Sequence, residues 1–256
     1  MRFTSISFSG KFKLVTLDIF GTILRLQSDV GHQYSKAANK FDVHVKPDVL
    51  SRNFKDVWVE MNQKYPIYGV QSFGWKKWWE TLIEKTFLKS ISAELSRETV
   101  DNISQYLFEM YKKPENWELC DGADDFINNM LDRNIPLVVL SNFDARLEDL
   151  LLKMKIRHYF RFVIASYNVG VQKPDAAIFQ LVEEKLKQYQ DLVHIKKNEI
   201  LHIGDSPELD FISATNVGWN SFLIHGNRDA VVVKYPFVDK NCIFKNLNEI
   251  NQQLFC

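Results

Sequence analysis

Asp18, Ser141, Asn142, Lys173, Asp205 and Asp210 are the residue types that phosphoryl chemistry needs, and each follows a short apolar run or the loop after one. A carboxylate such as Asp18 can attack phosphorus and form an acyl-phosphate. Its target is itself anionic, and two like unit charges at 4 Å repel by roughly 4 kcal/mol at an effective dielectric of about 20. Mg²⁺ held by Asp18 and Asp205 removes that obstacle, since Mg²⁺ favours one or two carboxylates together with phosphate oxygens. Lys173 would neutralise the remaining phosphoryl charge, and Ser141-Asn142 with a backbone N–H would bind its oxygens. Asp210, five residues after Asp205, would orient Lys173 or a metal-bound water. Taken singly, each residue has an ordinary reading. An Asp after a strand is a turn or cap residue, a Lys before Pro is a solvated loop charge, and Ser141 can cap the following helix. Their recurrence in order at successive strand ends favours a site.

The elements that must place these groups are legible as periodic runs. Residues 13–17, 135–140, 160–165, 199–203 and 221–224 are short and apolar on both alternations, as strands of a parallel sheet buried on both faces would be. Helical patterns occupy 144–154, 176–189 and 207–216, the last opening with Ser206 as N-cap and Pro207 at the first helical position. Strand alternating with helix predicts an α/β, Rossmann-like doubly wound parallel sheet, whose ligands bind beyond the carboxyl ends of the strands. Helix N-termini at that edge favour anions.

Residues 27–113 break the rhythm. Stretches 30–63 and 75–112 read as helices around a Tyr65-Pro66-Ile67-Tyr68-Gly69 breaker, and Trp58, Trp75, Trp78 and Trp79 fall here. The division expected is a core of 1–26 and 114–256 with a helical insertion at 27–113. The aromatics of the insertion are read as core packing before pocket lining.

With 256 residues, 46 % apolar and 25 % charged, the chain has ordinary globular composition. Lys plus Arg (32) equals Asp plus Glu (32), so the basic excess of a nucleic-acid binder is missing. No apolar run approaches the roughly 18 residues of a membrane span. Cys120, Cys242 and Cys256 are scattered, which argues against a disulfide framework or a zinc site and fits a reducing compartment such as the cytoplasm. The first 17 residues are basic, serine-rich and free of acids. That pattern fits a mitochondrial transit peptide, the alternative being a short tail before the first strand. His202, inside an apolar strand, reads as a core residue.

Asp18-Ile19-Phe20-Gly21-Thr22, Leu140-Ser141-Asn142, Lys173-Pro174-Asp175 and Gly204-Asp205-Ser206-Pro207-Glu208-Leu209-Asp210 resemble the four motifs of the haloacid dehalogenase superfamily. The stretches 141–147 and 173–179 look most like the subfamily of haloacid dehalogenase-like hydrolase domain-containing protein 3 and rhythmically expressed gene 2 protein. The resemblance implies a helical cap at 27–113, Asp18 as nucleophile, and the Phe20 backbone carbonyl joining Asp18 and Asp205 around Mg²⁺. It also exposes a departure. Phosphatases of the superfamily carry a second Asp two residues after the nucleophile, as acid and base, where this chain has Phe20. Acid–base catalysis contributes about 10²–10⁴-fold. The expectation is therefore a slow Mg²⁺-dependent hydrolase of a small phosphate ester. The alternatives are a non-catalytic phosphate- or metal-binding protein, and a metal-free 2-haloacid dehalogenase. Phe20 pulls toward the dehalogenase and Asp205 away from it.

Overall fold

The computed structural model describes residues 10–91 and 95–255. Most of the basic, serine-rich N-terminal stretch lies outside the described residues. The strands are β1 (Leu14–Leu17), β2 (Leu24–Leu26), β3 (Trp117–Leu119), β4 (Leu137–Ser141), β5 (Phe160–Ala165), β6 (Ile200–Gly204), β7 (Asn220–Ile224) and β8 (Ile243–Phe244). Six of them form one sheet in the order β5-β4-β1-β6-β7-β8, and every pairing in it is parallel. This is the doubly wound α/β sheet expected from the sequence. β2 and β3 make a separate two-stranded sheet.

The chain divides into two compact units. One comprises 1–25, 119–143 and 155–256; the other comprises 26–118 and 144–154. In the first, β1 lies centrally between β4 and β6, so the strand order reverses beside it, the point at which doubly wound sheets bind ligands beyond their strands' carboxyl ends. Leu14, Val138, Leu140 and Ile200 stand on one face of the sheet. They pack with Ile178, Phe179, Val182 and Leu186 of α9 (Ala176–Leu186), and full burial of each such side chain is worth roughly 1.5–3 kcal/mol. α9 is capped by Asp175, which accepts from the Ala177 N–H at 2.9 Å. The helix expected over 207–216 starts at Ser206 as predicted, but its first stretch, Pro207–Ile212, is π-helical. It becomes an α-helix only over α10 (Ser213–Asn216).

The second unit is helical: α1 (Val30–Asn39), α2 (Pro47–Lys64), the short turn α3 (Pro66–Gly69), α4 (Gly74–Ser90) and α5 (Arg97–Tyr111). Both long helices expected from the sequence are split. The first breaks where Asp42 adopts φ 57° and Pro47 opens α2. The second breaks before Ser96, whose hydroxyl accepts from the Thr99 N–H at 3.1 Å and starts α5. Tyr34, Leu50, Phe87, Ile103 and Leu107 form the core of this unit. Trp78 is fully buried, and Trp58 meets it edge-on at 5.3 Å.

Residues 144–154, expected with the sheet, belong instead to the helical unit. They contain α7 (Leu147–Lys153), which follows α6 (Ala123–Asp132) and β4 in the chain. Asp144 accepts from Trp79 Nε1 at 2.8 Å and from Arg146 Nε and Nη2 at 2.9 and 2.6 Å. The Arg146 guanidinium lies 4.8 Å from the Trp75 ring and 5.5 Å from that of Trp79. Among the described residues, no helix is long and apolar enough to cross a membrane.

Candidate active site

The predicted site residues of the sheet unit converge around one lysine. β1 delivers Asp18 at its carboxyl end, and β4 ends on Ser141. Lys173 sits in the loop between α8 (Ser166–Val169) and α9. Its side chain is 1 % exposed. Nζ donates to Asp18 Oδ1 at 2.7 Å, to Asp210 Oδ1 at 2.5 Å and to the Leu140 carbonyl at 3.0 Å. All three ammonium protons are thereby used, which is how a charge this deeply buried is tolerated.

Asn142, expected among the phosphate ligands, has a different engagement. Its Oδ1 accepts from the Lys173 backbone N–H at 2.8 Å, and its Nδ2 donates to the Lys173 carbonyl at 2.9 Å. With both ends of the amide engaged on that backbone, the side chain acts as a clamp on the lysine.

Asp205 follows β6, and its carboxylate lies against Gly21. A Cβ on Gly21, which also has φ +81°, would overlap it. The Phe20–Gly21 backbone, Asp18 and Asp205 are thus gathered at one edge. Phe20 is 47 % exposed. It sits in a tight loop in which the Ile19 carbonyl accepts from the N–H groups of Ile23 and Leu24 at 3.0 and 2.9 Å.

The electrostatics are those of an acid-rich pocket with one cation. Burial opposes ionisation of Asp210, but Lys173 and His202 outweigh it and hold its carboxyl well below the usual carboxylate range. Asp18 is pushed up by burial, and Lys173 and a hydrogen bond from Ser141 only partly offset this. The two acids share a single ammonium, and Asp210 has further donors in His202 and the Ser206 N–H. Lys173 is held up against the effect of its own burial by both carboxylates. Asp205, raised first by burial and then by Asp18 and Asp210, is pushed up to about 7.

That imbalance fits Mg²⁺. Three acids face one ammonium, and the acid left without it, Asp205, is beside Asp18 and the Phe20–Gly21 backbone. Among the described residues no three acidic, histidine or cysteine side chains close a cage. Mg²⁺ does not need one, because it usually keeps waters and takes one or two carboxylates.

Sequence reasoning placed His202 in the core and missed its hydrogen bonding. The ring is fully buried, with Nε2 3.1 Å from Asp210 Oδ1 and Nδ1 2.8 Å from Thr16 Oγ1. The available signal was a polar residue inside an apolar strand, two positions before Gly204.

Known proteins resemble this chain in sequence and in fold. The model of the family described as haloacid dehalogenase-like hydrolase matches residues 12–218. The rhythmically expressed gene 2 protein of Drosophila melanogaster is 34 % identical, covering 96 % of this chain and 96 % of that protein. The human haloacid dehalogenase-like hydrolase domain-containing protein 3 is 30 % identical, covering 96 % and 95 %. Among solved structures, the HAD-hydrolase YfnB from Bacillus subtilis, bound to magnesium, superposes with a TM-score of 0.68 at 17 % identity, covering 96 % of this chain and 99 % of that one. At that identity the likeness speaks for the fold alone, while the range matched by the family model, 12–218, spans all four motif segments. This chain therefore belongs to the haloacid dehalogenase-like hydrolase family.

Proposed function

We propose that the protein is a slow, Mg²⁺-dependent hydrolase of small phosphate monoesters, working through a covalent intermediate on Asp18. The observation that carries this reading is the Lys173 ammonium fixed at 2.7 Å from Asp18 and 2.5 Å from Asp210, with a further acid, Asp205, near by and left without a cation. A carboxylate nucleophile, a buried cation for the phosphoryl oxygens and a second carboxylate for a divalent metal are together what attack on an anionic phosphorus requires. The magnesium carried by YfnB supports the choice of ion. When bound, Mg²⁺ would be held by Asp18, Asp205 and the Phe20 carbonyl and would supply charge neutralisation.

In the first step an Asp18 oxygen bonds to phosphorus as the ester P–O bond breaks, and the leaving oxygen departs with that bond's electron pair. In the second, water attacks phosphorus, the P–O bond to Asp18 breaks, inorganic phosphate is released and the carboxylate is restored. Lys173 exchanges its hydrogen bond to Asp18 for one to a phosphoryl oxygen as the ester enters, Ser141 adds a hydroxyl donor, and Asn142 and Asp210 hold Lys173 in place. Phe20 offers no proton to the leaving oxygen. The missing acid–base term of about 10²–10⁴-fold corresponds to roughly 3–5.5 kcal/mol, a fraction of the total acceleration that enzymes reach. The chemistry survives on that account at reduced rate, best with aryl leaving groups. The helical unit would serve as the cap that selects the ester.

Asp205 speaks against a metal-free 2-haloacid dehalogenase, since displacement at a carbon–halogen bond has no phosphate dianion to neutralise. Phe20 favours one other reading, a binding protein that holds phosphate or metal without turnover. The test is release of phenolate from an aryl phosphate with and without Mg²⁺, beside Asp18→Asn. Turnover that needs both Mg²⁺ and Asp18 is the expected result. Mg²⁺ and phosphate binding without turnover would establish the binding reading.

A further inference from the structure

We infer that His202 is a positioning residue: its Nε2–H, aimed by Thr16, fixes the Asp210 oxygen against which the Lys173 ammonium is set. The inference rests on the phosphoryl-transfer reading of the site and goes beyond it. It begins with the sheet. Leu14, Thr16 and Asp18 share one face of β1, and Ile200, His202 and Gly204 share the same face of β6, because side chains alternate along a strand. Thr16 lies directly opposite His202 in the register. Leu14 and Ile200 on that face belong to the apolar core, and Phe179 closes over the imidazole edge-on at 5.9 Å. A threonine–histidine pair is therefore set into an apolar face, where each buried polar atom must find a partner.

The partners determine the tautomer. Asp210 is ionised and can only accept, so the ring nitrogen 3.1 Å from its Oδ1 must carry the proton. Nδ1 of the neutral ring is then an acceptor, and the Thr16 hydroxyl donates to it at 2.8 Å in preference to the Leu201 carbonyl at 3.4 Å. The opposite tautomer would set two acceptors against each other at Asp210. Burial disfavours the doubly protonated ring.

The consequence falls on one oxygen atom. Asp210 Oδ1 takes both the His202 and the Lys173 bonds, while Oδ2 takes the Ser206 N–H at 2.9 Å. Three donors from three segments of chain thus fix this buried carboxylate. Gly204 leaves the room, since a Cβ there would overlap the Asp210 carboxylate. Removing the imidazole donor leaves Oδ1 held by Lys173 alone, and a shift of that oxygen carries with it the ammonium that phosphate must meet. Groups acting at this remove typically change affinity or activity about 10- to 100-fold.

Two polar variants separate this role from simple core packing. In His202→Gln the amide nitrogen takes the place of Nε2 and keeps the donor toward Asp210. In His202→Asn it takes the place of Nδ1 and faces Thr16 only. The expected result is an Asn variant with kcat down about 10- to 100-fold at little-changed KM, and a Gln variant restored to within about threefold of wild type. Melting temperatures are compared in parallel. Ring ¹⁵N NMR of the wild-type protein should show the Nε2–H tautomer for the one histidine whose signals vanish in His202→Gln. Should the Asn variant fail to fold, Thr16→Val is the second perturbation, expected to lower kcat by a smaller factor without altering Mg²⁺ affinity. An Nδ1–H tautomer, or equal kinetics for Gln and Asn, overturns the inference alone. If the wild type has no turnover, the same variants are compared for binding of inorganic phosphate in the presence of Mg²⁺, where weakening in Asn but not in Gln sustains the inference. Neither turnover nor phosphate binding in the wild type sinks the phosphoryl reading and the inference with it.

Discussion

Replacing Lys173 with methionine removes the one cation in the acid pocket while keeping most of the side-chain volume. At an effective dielectric of about 20, ion pairs at 2.7 and 2.5 Å are worth about 6 kcal/mol each in Coulomb energy. Much of that sum offsets the cost of burying the charges, and removing one member of a buried pair costs about 3–5 kcal/mol net. For a chain of this size that is a fall in Tm of about 6–20 °C. The assay is thermal unfolding followed by circular dichroism in EDTA at pH 7, repeated at lower pH. Asp210 has a depressed folded pKa in the wild type. The stability it contributes is present above its unfolded value of 3.8 and is lost as pH falls through and below that value. The gap between the two proteins should therefore narrow on acidification. Adding Asp210→Asn to Lys173→Met should cost less than the two single changes summed, with a coupling of about 0.5–3 kcal/mol. A mutant melting within 2 °C of wild type (about 1 kcal/mol or less) would refute the claim that this ion triad is a major internal constraint. So would a gap that widens as pH falls.

Phe20→Asp should raise turnover of phosphate esters by about 10²-fold or more, most for alkyl and least for aryl leaving groups; at 47 % exposure it should cost about half of the 3–5 kcal/mol of a fully buried Phe truncation. A folded Phe20→Asp protein that binds Mg²⁺ and gains nothing on any ester would move the reading to non-catalytic binding. Asp205→Asn should weaken Mg²⁺ sharply in titration calorimetry, and equal affinity in wild type and mutant would show that the ion site is misassigned. At the N-terminus of α1, hydrogen bonds from Ser51, His32 and Gly31 outweigh partial burial and hold Asp29 at about 2. Asp29→Ala should cost about 1 kcal/mol in urea unfolding at pH 7, and the deficit should shrink as pH falls below 3.8 toward 2. A deficit independent of pH over that range would contradict the cap.

How far the sequence revealed the site depended on the reach of each interaction. Asp18, Ser141 and Asp205 were legible because each sits where a short apolar run stops, and Lys173 and Asp210 because each lies in a short motif in the segment after one, signals contained within a few residues. The role of Asn142 was not, because its partner is the backbone of Lys173, 31 residues away. The Thr16–His202 bond spans 186 residues, so the histidine showed only its burial. The central strands could be read from apolar runs, whereas β2, β3 and β8 are two or three residues long and leave no period to detect. The break between α1 and α2 turns on the positive φ of Asp42, which composition does not announce. The attachment of 144–154 depends on a tryptophan hydrogen-bonded to Asp144 across 65 residues.

That attachment bears on how such proteins can exchange parts. A module inserted at a single point can be lifted out and replaced by another, but the helical unit here is woven from two separate stretches of chain. A graft that swapped only 26–118 would leave Arg146 without the indoles of Trp75 and Trp79, and Asp144 without the Trp79 donor. A buried carboxylate and its guanidinium would then meet a foreign surface. On the proposed reading of the helical unit as a cap, its selectivity should therefore be transferable to another core only when both stretches travel together.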